Sequence, residues 1–205
     1  MSSTMSLKVI TARATPAVST SDAKTFLRVD GSTDDALISG LVAAATDMVE
    51  KRTRRSLINQ TFRWSFDEFP SGPVELPRSP VSSISIGGAY AYAMPRLRYI
   101  DQDGVQQTAV EDEDYFLDLD NNPPSLQLFP FTIWPHTQLD RAKAVEVDFV
   151  AGYGASSANV PELLRHGVLM LVAHWYEHRE AVGQVGTEVP LAVDSILQMY
   201  TDGRY

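Results

Sequence analysis

The sequence contains no cysteine among its 205 residues. This absence excludes a disulfide scaffold, a thiolate zinc site and a cysteine nucleophile, and it fits a reducing compartment. The sequence also lacks an apolar run long enough to cross a membrane, and its N-terminus lacks the apolar segment of a signal peptide. We therefore expect a soluble, intracellular protein.

Positive charge is scarce and unevenly placed. The chain has 17 Lys and Arg against 26 Asp and Glu, a formal net charge of −9, which argues against non-specific coating of nucleic acid. Residues 61–150 hold 6 basic and 14 acidic residues, whereas residues 1–60 hold 8 and 6. With 44% hydrophobic residues, the chain can bury a core of one domain, or of one domain with a sizeable insertion.

The most apolar helical pattern runs over residues 161–181, where steps of three and four separate the apolar positions. Pro161 is expected at the first helical position, and Asn159 just before it is expected to cap the helix. We expect this segment to be the central helix of the core.

Three further helices are expected. Ser19 begins an S-x-x-D pattern for a short helix that ends near Val29. Ser32 or Thr33 is expected to cap a longer helix that runs to about Arg55 with one apolar stripe. A final short helix is expected over residues 192–200, with apolar residues on one side.

From Thr61 the apolar period changes from helical to two, since Phe62, Trp64 and Phe66 alternate with polar residues. Asp103-Gly104 predicts a hairpin turn. Frequent prolines favour short strands over a long regular sheet. The expected strands after the first are at residues 74–76, 81–86, 96–100, 105–110, 115–119, 125–128 and 144–150.

These patterns predict an α+β fold with a small helical core of about four helices. Residues 1–60 and 151–205 form that core. Residues 61–150 form an antiparallel β unit, inserted between the second and third long helices.

A basic cluster ends the second helix and consists of Lys51, Arg52, Arg54 and Arg55. Two interpretations stay open. In the first, the cations interact favourably with the negative carboxyl end of the helix dipole, and each stabilises the helix by roughly 0.3–1 kcal/mol. Alternatively, the cluster faces phosphate or an acidic partner, and we predict contact with a neighbouring subunit or with DNA.

Residues 174–178 spell H-x-x-E-H, the inverted zincin pattern, in which His174 and His178 share a helix face and Glu177 is the general base. A third ligand is not apparent in the 27 residues that follow, and Trp175 is bulky. We therefore interpret the pattern as a partly exposed helix end. We expect no metal, no cofactor and no catalytic residue.

Two other motifs have ordinary structural interpretations. Gly152 and Gly154 lie between a strand and a helix, but the third glycine and the lysine of nucleotide-binding loops are missing. We therefore assign both glycines to a turn. The acidic run at residues 111–114 is expected to be a solvated loop, with a divalent-ion site as the alternative.

Five segments together resemble the phage head–tail connector (adaptor) family, including the relatives carried by gene transfer agents. Each motif is weak by itself, whereas their order and spacing along nearly the whole chain are specific. Residues 86–146 resemble the family only in outline. The segments are SDAKTFLRVDGSTDDALISGLVAAATDMVEKRTRRSLINQTF (21–62), VELPRSPVSSI (74–84), VDFVAGYG (147–154), VPELLRHGVLMLVAHWYEHREAV (160–182) and VDSILQMYTDGRY (193–205).

The resemblance implies a structural adaptor of the virion, assembled in the bacterial host cytoplasm and located at the head–tail junction. It implies a homo-oligomeric ring, commonly of twelve subunits, beneath the portal protein. A stopper or tail-terminator protein would bind the far side, and double-stranded DNA would pass through the lumen without specific binding. We expect no membrane contact.

In such proteins the C-terminal segment engages the portal, which leads us to expect portal contacts at Tyr200, Arg204 and Tyr205, since aromatic residues and arginine are strong interface anchors. The alternatives are a flexible tail, a stopper or tail-completion protein, and a metal-dependent hydrolase that uses residues 174–178.

Overall fold

A computed structural model of the chain describes residues 5–81, 96–178 and 190–201. The chain divides into two compact units, a helical unit of residues 13–59 and 153–205 and a sheet unit of residues 1–12 and 60–152. Residues 6–11 form a strand of the sheet unit, whereas the sequence pattern grouped them with the helices. The reason is backbone pairing with the strand at 60–66, which no local pattern reveals. The division into domains stays a prediction.

Four α-helices and a short 3-10 turn make up the described part of the helical unit. Its core combines the apolar stripes of all four helices with Leu57, Ile58 and Val160 from the connecting segments. The helices are α1 (Thr20–Leu27), α2 (Asp35–Thr53), α3 (Glu162–Glu177) and α4 (Leu191–Tyr200), and the 3-10 turn is Ser157–Asn159.

The N-terminal caps agree with the sequence for α1 and differ for α2. Ser19 accepts a hydrogen bond from the backbone N of Asp22 at 3.0 Å, as the S-x-x-D pattern predicts. The cap of α2 is Asp34, and its side chain makes no capping hydrogen bond. The prediction of Ser32 or Thr33 is therefore wrong, because the helix begins one or two residues later.

The cap predicted for α3 is also wrong. Pro161 occupies the capping position itself, and the helix begins at Glu162. Asn159 instead closes the preceding turn, where its Oδ1 accepts from the backbone N of Ser156 at 3.3 Å and from its Oγ at 3.0 Å. A Cβ on Gly154 would lie 2.4 Å from Cγ of Asn159, so this turn requires a glycine, as the sequence predicts.

The described part of the sheet unit contains two antiparallel sheets. The larger has five strands in the order β1-β2-β8-β4-β5, and the smaller has three in the order β3-β7-β6. The strands are β1 (Ser6–Thr11), β2 (Gln60–Phe66), β3 (Val74–Glu75), β4 (Arg96–Ile100), β5 (Gln106–Thr108), β6 (Tyr115–Asp118), β7 (Ser125–Leu128) and β8 (Val145–Ala151).

The central pair of strands confirms the period-two pattern. Phe62 pairs with Phe149, and their rings stack at 5.5 Å on the apolar face of the sheet. Arg63 pairs with Asp148 on the opposite face, which is polar. The two faces of the large sheet therefore have different chemistry, as alternation along a strand requires.

The hairpin turn is confirmed, since Gly104 has φ +80° between β4 and β5. The strand predicted at 81–86 falls mostly outside the described residues, and Val81 forms an isolated bridge to Ala151. The α+β fold is confirmed, and seven of the eight strands that the structure describes lie between α2 and α3 in the chain. None of the described helices has the length and apolar character needed to cross a membrane.

Candidate functional site

The basic cluster predicted from sequence lies where α2 ends. Lys51, Arg52 and Arg54 are exposed, and Arg54 has the left-handed conformation (φ 56°) that ends the helix. Arg52 makes an ion pair with Asp194 in the first turn of α4. Arg52 therefore joins two helices of the same unit.

Arg55 is half-buried and reaches the other end of α4. Its Nε donates to the backbone carbonyl of Tyr200 at 2.7 Å, and its Nη1 donates to the hydroxyl of Tyr153 at 3.3 Å. Its Cζ lies 6.0 Å from the ring centroid of Tyr200. Because the last carbonyls of a helix have no partner within the helix, Arg55 satisfies one of those of α4.

The basic cluster after α2 and the residues of α4, which the sequence pattern does not connect, are therefore in contact. Arg52 and Arg55 hold α4 at both ends, and Tyr200 is one of the groups they hold. Arg204 and Tyr205 lie outside the described residues. The roles predicted for these residues, and for the exposed Lys51 and Arg54, stay predictions.

Helix α4 packs through one side and exposes another. Val193 and Leu197 are buried in the helical core, which agrees with the predicted apolar side. Met199 is 73% exposed, and Leu191 is also exposed. We add Met199 to the candidate contact residues, because an exposed apolar side chain beside the C-terminal tail suits an interface. Its spacing in the sequence does not distinguish it from a core residue.

The H-x-x-E-H segment forms the end of α3. The rings of His174 and His178 lie 4.6 Å apart, and Nδ1 of His178 lies 2.8 Å from the carbonyl oxygen of His174, which accepts its hydrogen bond. Glu177 is exposed, and Trp175 is partly buried against the helical core. Among the described residues, no three His, Asp or Glu side chains are grouped as metal ligands. The imidazole–carbonyl contact is what a helix end offers a histidine.

The polar face of the large sheet holds a charged network that the sequence did not predict. Arg63 binds Asp148 through two hydrogen bonds of 2.7 and 2.9 Å, and Arg98 binds Asp148 at 2.7 Å. Glu146 lies 3.1 Å from Arg98 and 3.4 Å from Arg63. The hydrogen bond to Asp148 raises the pKa of Arg63 above its ordinary value. Residue spacing gives no signal for this network, because it depends on the register of three strands.

The acidic run at residues 111–114 forms the turn that leads into β6. The carboxylate of Asp114 accepts from the backbone N of Val110 at 2.7 Å, so the run is partly fixed by its own hydrogen bonds. Tyr115 is buried directly after it. Burial, together with the neighbouring acids, raises the pKa of its phenol well above the ordinary value. The predicted loop is therefore present, and its acids influence a buried side chain.

Comparisons with known proteins identify a matching family model and similar solved structures. Residues 18–93 match the family model described as phage gp6-like head-tail connector protein. Comparison with curated protein sequences gives no match.

Among solved structures, the chain resembles one in the neck of an empty gene transfer agent (GTA) particle computed with C6 symmetry. The two share 25% identity and a TM-score of 0.77, with 98% of this chain and 97% of the other covered. A chain of the native GTA virion has 25% identity and a TM-score of 0.75, with 97% and 96% covered. A chain in the native GTA neck computed with C12 symmetry has 24% identity and a TM-score of 0.73, with 98% and 97% covered.

The solved relatives cover both units of the chain, including the region 86–146 that the sequence related to the family only in outline. The resemblance drawn from the sequence is therefore confirmed: residues 18–93 carry the head–tail connector signature, and the whole chain has a fold similar to that of a GTA neck protein.

Proposed function

We propose that the chain is a structural adaptor at the head–tail junction of a phage or phage-like particle. The observation that carries this proposal is the similarity of the whole chain, with both of its units, to a chain of the GTA neck. A match to the helical unit alone would support only a shared domain. The family match over residues 18–93 supports the same function independently.

The adaptor is proposed to act as a ring. The neck structures that resemble this chain were computed with C6 and C12 symmetry, which supports a ring of copies around an axis. We further propose that the ring has twelve subunits. It would bind the portal protein on one side and a stopper or tail-terminator protein on the other. A net charge of −9 fits a channel through which DNA slides, since tight binding requires cations that neutralise phosphates.

Portal contact is assigned to the C-terminal segment after α4. Arg52 and Arg55 tie α4 to α2, so the segment after Thr201 starts from a fixed point on the helical unit. Met199, exposed in the last turn, and Tyr200 lie next to this starting point. The proposed role requires no catalysis, and no contact among the described residues favours the hydrolase alternative.

The test is removal of residues 202–205 followed by electron microscopy of assembled particles. A deletion that begins at residue 199 would also remove Tyr200, whose carbonyl accepts a hydrogen bond from Arg55. A loss of attachment could then come from a less stable fold and not from a lost portal contact. The shorter deletion should leave the melting temperature unchanged and abolish density for the chain beneath the portal. The matched control is Lys8→Ala, which changes an exposed residue of β1 that has no assigned contact and should retain that density. Attachment unchanged by the deletion refutes the portal contact, and absence of the wild-type chain from the junction refutes the adaptor function.

A further inference from the structure

Basic residues are scarce between positions 61 and 150, and half of them line one pocket of the sheet unit. This region holds 6 basic and 14 acidic residues, a balance of −8. Three of the basic residues, Arg98, Arg141 and Lys143, line a pocket with a volume of about 260 Å³. Glu146 is the one acid among the residues that line it. The lining therefore has a charge balance of +2 within the most acidic part of the chain.

The pocket lies where the segment before β8 meets the end of β4. The backbone N of Gln138 donates to the carbonyl of Ile100 at 3.1 Å, and the backbone N of Ile100 donates to the carbonyl of Ala144 at 2.8 Å. Ile100 therefore holds both ends of residues 139–143, which we call the basic loop. Two of the three cations of the pocket are on this loop, so backbone hydrogen bonds set their position.

Further contacts hold the basic loop from within. Nη1 of Arg141 donates to Oε1 of Gln138 at 3.2 Å, and the backbone N of Lys143 donates to Oδ1 of Asp67 at 2.9 Å. Asp140 and Lys143 both have a φ of +57°, a left-handed value that residues other than glycine adopt infrequently. Backbone conformations of this kind cluster at ligand-binding sites, where the surrounding contacts enforce them.

Arg98 supplies the third cation from β4, and its guanidinium is held in place by the sheet. Its Nη2 donates to Glu146 at 3.1 Å and to Asp148 at 2.7 Å. Because an arginine has five N–H donors, those on Nε and Nη1 can serve a further acceptor. Glu146 also lies 3.4 Å from Arg63, so a cation outside the lining offsets the charge of the one acid within it.

We propose that this pocket binds a phosphate group. Guanidinium and ammonium groups are the side chains that recognise phosphate, the first through paired N–H donors and the second as a point charge. The balance of +2 offsets the charge of about −1.5 to −2 on a phosphate at pH 7, or one charge on each of two neighbouring phosphates of DNA. A lone carboxylate carries one charge and would leave the pocket positive.

The size of the pocket restricts the ligand further. Sites for whole small molecules have volumes of roughly 300–1,000 Å³. A pocket of about 260 Å³ suits a single phosphate group better than a complete nucleotide. Such a group is offered by inorganic phosphate and by the backbone of double-stranded DNA. The site lies outside the proposed portal contact and does not depend on the adaptor function.

The test measures binding of inorganic phosphate to the purified full-length protein by isothermal titration calorimetry. We expect Lys143→Ala and Arg141→Ala each to weaken binding about tenfold, because each removes a charge-assisted hydrogen bond. The matched control Lys8→Ala removes another exposed lysine of the same unit, one that does not line the pocket. It should change the affinity by less than about twofold, since solvent and salt screen exposed charges. All three variants should keep the melting temperature of the wild type, because the three side chains are exposed.

A second measurement identifies the source of the phosphate. A fluorescent double-stranded oligonucleotide is titrated with the protein at several salt concentrations. If the DNA backbone is a ligand, Lys143→Ala should reduce the slope of log K against log salt by about 0.9, the value for one phosphate contact, and Lys8→Ala should leave it unchanged. Binding of inorganic phosphate without that change in slope assigns the pocket to free phosphate.

The inference is overturned if the wild type binds no inorganic phosphate and the pocket variants leave DNA binding unchanged. An equal loss of binding in Lys8→Ala also overturns it. Binding of poly-glutamate in place of phosphate would overturn it too, and would assign the pocket to an acidic protein segment. Each of these results leaves the adaptor function standing, because that function is tested by the presence of the chain at the head–tail junction.

Discussion

Arg55 and Tyr200 are 145 positions apart in the sequence, yet Nε of Arg55 lies 2.7 Å from the carbonyl oxygen of Tyr200. The same guanidinium lies 6.0 Å from the ring centroid of Tyr200. The end of α2 therefore holds the end of α4, and the segment proposed to contact the portal follows that point in the sequence.

We expect Arg55→Ala to lower the free energy of unfolding by about 1–3 kcal/mol, because a charge-assisted hydrogen bond and a helix-end carbonyl lose their partner. Hydrogen exchange in α4 should accelerate more than exchange in α1. The control Lys51→Ala changes an exposed residue of the same cluster and should alter stability by no more than about 0.5 kcal/mol. Equal protection of α4 in both variants would show that Arg55 does not hold the helix.

Asp148→Ala should be among the most destabilising single changes in the sheet unit. Asp148 is 7% exposed and accepts from both Arg63 and Arg98, so its removal leaves two partly buried cations without their main partner. We expect a loss of about 3 kcal/mol in urea unfolding. Glu146→Ala removes a more exposed acid from the same network and should cost about 1 kcal/mol or less. A reversed order would contradict the central place given to Asp148.

The environment of Glu111 should make the stability of the fold depend on pH. Burial, and then the charge of Asp112, raises the pKa of its carboxyl above the ordinary value. The folded state therefore favours the protonated form of Glu111. The stability that this preference adds is fully present below the pKa of the unfolded state, and it is lost as pH rises through the pKa of the folded state. Glu111→Gln should raise the melting temperature at pH 7 and lose that advantage near pH 4. The exposed Glu113→Gln is the control, and an equal gain from it would refute the burial effect.

Two glycine substitutions should have opposite signs. Gly40 is exposed within α2 and has no heavy atom within 4 Å of an added Cβ, so Gly40→Ala should stabilise by about 0.5–1 kcal/mol through helix propensity. Gly154→Ala places its Cβ 2.4 Å from Asn159 and should destabilise by about 1–3 kcal/mol. Thermal unfolding of the two variants checks both signs, and a stabilising Gly154→Ala would show that the turn before α3 adapts freely.

The local elements of this protein follow from its sequence. Period 3.6 at α2 and α3, period two at Phe62–Phe66 and the Ser19 cap are short-range signals, because each depends on neighbours within about one or two turns. Family resemblance also follows from the sequence, since it rests on the order of such segments. The caps of α2 and α3 were predicted wrongly for two reasons. Helix α2 begins only after Asp34, whose side chain makes no capping hydrogen bond, and the side chain of Asn159 bonds Ser156 in the turn before α3.

Tertiary structure decided the rest. Strand β1 belongs to the sheet because it pairs with β2 some fifty residues away, and β-pairing leaves no short-range pattern in a six-residue segment. The contact of Arg55 with Tyr200 and the exposure of Phe131 likewise depend on which distant surfaces meet. Composition and periodicity predict which residues are buried. Only the packing of the whole chain determines which cations form ion pairs within the fold, and which apolar side chains remain exposed to a partner.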